Sequence, residues 1–141
     1  MIDNIEKITL NEWLSELKKY QRDAISTLID TYGEEEAIAK WLSANGPENN
    51  VSFGGIREAD TKPFLDRIKE EFKKFICNHP DYQKDWQKLN TESTVFKNLC
   101  ITTISAALGA TFGYSATLLA PAVVILLAIT GKIGVRAYCN S

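Results

Sequence analysis

Leu10, Trp13, Leu14, Leu17, Tyr20, Ala24, Ile25, Leu28, Ile29 and Tyr32 recur at steps of three, four and one, which puts them on one stripe of a helix. The spacing predicts a helix over 9–32, opened by a capping box of Thr9 with Glu12 and stopped by Gly33. A second helix is predicted over 34–44, with Glu34, Glu35 and Glu36 at its positive start and Ala37, Ile38, Trp41 and Leu42 on its apolar side. Turn residues then run from Asn45 through Gly54 and Gly55, around a possible short extended piece at 51–53. Phe64, Leu65, Ile68, Phe72, Phe75 and Ile76 predict a third helix over 63–77, with Pro63 in its first turn. A short fourth helix over 80–90, carrying Tyr82, Trp86 and Leu89, follows a break at Asn78-His79-Pro80-Asp81.

The pattern then changes. From Asn98 to Gly131 there are 34 residues without a charge. A continuous helix of that length would be about 51 Å long, well beyond a hydrocarbon core of about 30 Å. Gly113-Tyr114-Ser115 is the natural break and gives two apolar helices, over 94–112 and 115–135. The basic flanks favour this hairpin over a single bent span. Lys84, Lys88 and Lys97 precede the run and Lys132 and Arg136 follow it, so a hairpin keeps both groups on one side of a bilayer. A third arrangement hides the apolar hairpin inside the amphipathic helices of a soluble protein. The predicted fold is therefore all-α: a helical cytosolic region over 1–92, then a hydrophobic hairpin with a short basic tail over 93–141.

Charge reinforces the division. All 18 acidic residues lie between Asp3 and Glu92, so residues 1–97 carry −4 and residues 98–141 carry +2. The acidic start has no apolar stretch of the kind a secretory signal needs. Three cysteines at unrelated spacings, Cys77, Cys100 and Cys139, argue against a disulfide framework and fit a reducing compartment. Cys139, just beyond the apolar segment, reads as an ordinary free thiol.

Catalytic sets are missing from the sequence. One histidine leaves no His pair for a metal and no Ser/His/Asp choice. Gly54-Gly55 lacks the residues that complete a phosphate loop. Lys69, Lys73 and Lys74 alternate with Glu70 and Glu71, a salt-bridged face and not a nucleic-acid patch. His79-Pro80-Asp81 resembles the tripeptide between two helices of J-domain co-chaperones, and the resemblance covers those three residues alone. The chain is expected to be a non-enzyme, with no cofactor, no metal, no nucleic acid and no small-molecule substrate.

Two sets of residues carry the functional expectation. Asn98, Thr102, Ser105 and Gly109 fall at steps of four, three and four and form one polar, small-residue face, extended by a G-x-x-x-G pattern ending at Gly113. In lipid such a face packs helices closely or lines a polar path between assembled copies. Ile101, Ile104 and Leu108 on the other side are expected to meet lipid. Trp13, Leu17, Trp41 and Phe72 are candidates for an oligomer or partner interface, because a short bundle has little room for so many aromatic rings. Lys97, Lys132 and Arg136 flank the membrane segment.

This organisation is similar to the helix-wrapped apolar hairpin of pore-forming colicins and to small membrane effectors of bacterial defence and toxin systems. The resemblance implies a protein that enters a membrane and makes it leak. Its expected partners are membrane lipid and either further copies of itself or a regulatory protein. Its expected location is the cytoplasmic membrane with both termini cytoplasmic, the cytoplasm being the alternative. A membrane-anchored adaptor and a soluble helical interaction protein are the other readings.

Overall fold

The computed structural model describes residues 3–45, 58–77, 79–84 and 96–140. Among them every regular element is helical and no strand occurs. Eight α-helices are α1 (Asp3–Glu6), α2 (Leu10–Leu14), α3 (Lys19–Tyr32), α4 (Glu34–Asn45), α5 (Glu58–Ile76), α6 (Phe96–Phe112), α7 (Ala116–Ile133) and α8 (Val135–Cys139). A 3₁₀ turn, Pro80–Tyr82, lies between α5 and α6.

The capping box forms as expected: Thr9 Oγ1 accepts from the Glu12 amide at 3.2 Å, and Glu12 Oε1 accepts from the Thr9 amide at 3.1 Å. The predicted helix over 9–32 is nonetheless two helices. Ser15 turns its hydroxyl onto the Glu12 carbonyl at 2.6 Å, and Lys18 adopts an extended backbone before α3 begins. Serine competes in this way with the helical ladder. The break lets α2 lie along α7 while α3 packs on α4. The helix expected over 34–44 is α4, one residue longer.

The third helix begins at Glu58 instead of Pro63, which places Pro63 in its second turn. The segment expected to be a helix over 80–90 opens as the 3₁₀ turn. Pro80 stands at its first position, and His79 Nδ1 accepts from the Asp81 amide at 3.2 Å. Residues 85–95 lie outside the described residues, as do Trp86, Leu89, Lys88, the piece at 51–53, Gly54-Gly55 and the boundary drawn between 92 and 93.

The apolar run breaks where expected. Gly113, at φ 77°, ends α6, with its own amide and that of Tyr114 both donating to the Gly109 carbonyl at 2.7 and 2.9 Å. Ser115 then caps α7 by accepting from the Leu118 amide at 3.1 Å. The second apolar helix stops at Ile133, earlier than the expected 135, because Gly134 at φ 99° redirects the chain into α8.

One core runs through the whole fold, from Ile5 through Trp13, Ile38, Phe72, Ile104 and Ile125 to Val135. Its axis is α7, against which α1 to α6 and α8 all pack.

The cysteine expectation is corrected. Cys77, at the end of α5, forms a disulfide with Cys139, at the end of α8, with a Cα–Cα distance of 5.6 Å. The odd count remains odd because Cys100 is a buried free thiol. Spacing hid the pair, since 62 residues separate the two cysteines and only tertiary folding brings them together.

Candidate functional site

Leu119 and every residue from Pro121 to Ala128 are buried, so α7 is apolar on all sides through its middle. A helix of that kind belongs in a protein core or across a membrane. By length and composition α7 is long and apolar enough to cross a membrane, the one such helix among the described residues, and 56% of it is buried inside the protein. At 17 residues, α6 is slightly shorter.

The wrapping helices hold the start of α7 by its own backbone. Pro121 has no amide hydrogen and therefore leaves the Thr117 carbonyl, four residues earlier, without its helical partner. Gln21 of α3 supplies the missing donor: its Nε2 reaches the Thr117 oxygen at 2.8 Å, and the residue is only 3% exposed. Trp41 of α4 donates from Nε1 to the next carbonyl, Leu118, at 2.9 Å. On α5, the ring of Phe64 meets those of Phe112 and Tyr114 edge-on, with centroids 5.9 and 5.0 Å apart. Three wrapping helices thus hold the turn between α6 and α7.

The other end of α7 is held differently. The backbone of α1 crosses at Gly131, where a Cβ would come within 2.8 Å of the Ile5 carbonyl oxygen. Glu6 Oε1 accepts from the Val135 amide at 2.8 Å. Lys132 pairs with Glu34 at the start of α4, and Arg136 is exposed on α8. Lys97 is half-buried at the start of α6 and adds to the pull on Glu12. Hydrogen bonds from the backbone and side chain of Thr9 hold that carboxyl below its ordinary value, against the smaller effect of burial.

The polar face expected on α6 is split by the fold. Asn98 and Thr102 are exposed, and the Thr102 hydroxyl turns back to the carbonyls of Asn98 and Leu99 at 3.0 and 3.2 Å. Ser105 is 1% exposed, and its buried Oγ has no hydrogen-bond partner. Asn98, Thr102 and Ser105 share a groove of about 310 Å³ with Leu17, Gln21 and Thr117. Gly109 and Gly113 serve the turn: a Cβ on Gly109 would come within 2.5 Å of the Tyr114 carbonyl oxygen. On the other side of the helix, Ile101, Ile104 and Leu108, expected to meet lipid, are buried in the core of the folded chain.

The partner surface expected at Trp13, Leu17, Trp41 and Phe72 is likewise corrected, because all four are buried. The aromatic rings found room because α7 supplies a central partner for them, which a bundle of residues 1–92 alone would lack. Among the described residues, no cluster of His, Cys, Asp and Glu has the arrangement to hold a metal ion.

Sequence reasoning missed Gln21, Glu6 and the cysteine pair. Pro121 carried a usable signal, since a proline inside a helix announces a free carbonyl and so a donor elsewhere. In comparisons with known proteins, the chain matches no family model, no curated protein and no solved structure.

Proposed function

We propose that this chain is a small membrane-inserting effector that carries its apolar helix in a water-compatible sheath and delivers it, with α6, to a bilayer. The observation that carries the reading is α7 itself. It is 18 residues long, apolar around its whole middle, and held at its start through hydrogen bonds from Gln21 and Trp41 to its own carbonyls. Those bonds hold the helix without requiring a polar side chain on it, so the segment keeps a composition compatible with lipid. At 1.5 Å per residue, α6 and α7 extend about 26 and 27 Å, near the hydrocarbon thickness. The Cys77–Cys139 bond favours entry as a hairpin, because it ties a residue before the apolar run to one after it. Both ends then remain on one side of the bilayer, as the basic flanks also favour.

In this proposal the helices of the sheath exchange their hold on α7 for contacts with lipid, further copies or a regulatory protein. The test is release of an encapsulated dye from anionic phospholipid vesicles by the full chain, paired with flotation to measure bound protein. Binding with leakage is the expected result. Binding without leakage replaces the effector with a membrane-anchored adaptor.

A second reading has its own support. Burial of 56% of α7, together with Trp13, Leu17, Trp41 and Phe72, is what a soluble helical interaction protein with an apolar core would show. A chain that stays wholly with the aqueous fraction, and is fully recovered from cell membranes by alkaline carbonate, establishes that reading.

A further inference from the structure

α8 is a helix of five residues that follows a glycine at φ 99°. A helix that short has little stability of its own. It packs on α1, α5 and the end of α7: Val135 is buried, the Val135 amide donates to Glu6, and the Tyr138 ring meets Phe72 edge-on at 6.2 Å. The covalent attachment is the bond from Cys139 to Cys77 on α5. Both cysteines are half-buried, close enough to the surface for a thiol to reach. Lys73 stands one helical turn before Cys77 and Arg136 one turn before Cys139. Cationic neighbours stabilise the thiolates that exchange must expel. Cys100 is fully buried on α6 and takes no part in exchange.

We infer that Cys77–Cys139 is a redox-modifiable latch, whose reduction by a dithiol frees α8 from α5 while the rest of the fold stays closed. One reductant thiolate attacks a sulfur of the bond, forming a mixed disulfide and expelling the other sulfur as a thiolate. The reductant's second thiolate then displaces the remaining protein sulfur. The reductant leaves as its own disulfide, two electrons pass to the protein, and the two cysteine thiolates take up the two protons the dithiol lost. Closed, the latch holds Ile133 to a tether of six residues from Cys139, a reach of about 20 Å from α5. Open, the chain between α5 and the end of α7 runs the long way round, through α6.

This latch deepens the reading of α7 as a membrane-inserting helix and rests on that reading for its consequence in lipid. The test uses the full chain, oxidised and then reduced with dithiothreitol, followed by amide hydrogen exchange. Reduction should speed exchange at residues 138–140 at least tenfold, with little change in α3 and α4, and reoxidation by oxidised glutathione should restore protection. The Cys77→Ser/Cys139→Ser double variant should match the reduced chain without reductant. Three results overturn the latch: no Cys77–Cys139 linkage in the mass of the oxidised chain, unchanged exchange in α8 on reduction, or a rise at all amides together. Vesicle flotation of the two forms tests the membrane reading separately. If α8 is freed and neither form floats, the latch stands and the insertion reading falls.

Discussion

Gln21 donates its side-chain amide to the Thr117 carbonyl at 2.8 Å, filling the vacancy that Pro121 creates in α7. The two residues are 96 positions apart, and the contact joins the first half of the chain to the first turn of the apolar helix. Gln21→Leu keeps approximate size and removes the donor. It should lower stability by about 1 kcal/mol in urea unfolding, the worth of one such bond beside a groove that water can enter. Pro121→Ala in the same background returns an amide hydrogen to the Thr117 oxygen and should recover part of the loss. A double-mutant cycle that is additive shows that Gln21 does not answer Pro121.

The glycines give a graded prediction. A Cβ on Gly109 would meet the Tyr114 carbonyl oxygen at 2.5 Å, and one on Gly131 would meet the Ile5 carbonyl oxygen at 2.8 Å. Backbone cannot move aside as a flexible side chain can, so Gly109→Ala and Gly131→Ala should each cost about 1–3 kcal/mol as overpacking. Gly113→Ala meets nothing within 4 Å but sits at φ 77°, so its cost is backbone strain alone, about 1 kcal/mol. Thermal midpoints that put Gly113→Ala below the other two contradict this order.

These positions also show what the sequence could reveal. The turn at 113–115, the capping box at Thr9 and Glu12, and the apolar sides of α4 and α5 were legible because each depends on neighbours three or four residues away. The break after Leu14 was not, because the stripe continues through Leu17 while the Ser15 hydroxyl and the extended backbone at Lys18 interrupt the ladder. Ile104 and Leu108 were assigned to lipid because they lie opposite the polar side of Asn98, Thr102 and Ser105; in the folded chain the same apolar side goes into the core, which helical spacing alone cannot tell from a lipid-facing one. The Cys77–Cys139 pair and the Gln21–Thr117 contact arise from tertiary placement and have no local signature.

The shared core sets the expectation for a truncated chain. Residues 1–92 lack α7, against which Trp13, Leu14, Trp41 and Phe72 are now packed or adjacent in one core. A fragment of 1–92 should therefore keep part of its helical circular dichroism but melt without a sharp transition and bind a hydrophobic dye. A cooperative melt comparable with that of the full chain would show that the wrapping helices form a domain of their own.

Acid should loosen one seam of the sheath. Glu71 on α5 pairs with Lys74 at 3.2 Å and accepts a hydrogen bond from the Tyr82 hydroxyl, which also lies 3.2 Å from Thr111 Oγ1 on α6. Burial raises the pKa of the Glu71 carboxyl, but the bonds from Tyr82 and Lys74 outweigh it and hold the group below its ordinary 4.5. On the other side of the bond, burial and then the Glu71 contact push the Tyr82 hydroxyl up to about 12. A carboxyl with a lowered folded pKa contributes stability that is fully present above 4.5 and is lost as the pH falls through its folded value. The unfolding midpoint should accordingly fall on acidification below about pH 4.5, and Glu71→Gln, which keeps an acceptor for Tyr82, should flatten that part of the profile. An unchanged acid limb in Glu71→Gln removes Glu71 from the account.

Substitution at Ser105 tests the folded chain and the proposed role in lipid separately. Its hydroxyl is buried without a partner in the folded chain, an arrangement that costs stability, since a desolvated hydroxyl has lost its bonds to water. Ser105→Ala should therefore raise the unfolding free energy by about 1 kcal/mol. If α6 presents Asn98, Thr102 and Ser105 to a polar path once copies assemble in lipid, the same substitution should lower dye release at matched bound protein. Thr102→Val tests the neighbour with less effect on folding, because Thr102 is exposed and its hydroxyl bonds only to its own helix. Ala110→Ser, exposed on α6 and about a third of a turn away from Asn98, is the control and should leave both stability and leakage unchanged. A Ser105→Ala chain that is more stable and leaks less identifies a hydroxyl retained at the expense of the resting fold. A chain that is more stable and leaks as wild type does leaves Ser105 as a packing defect and moves the polar path away from this face.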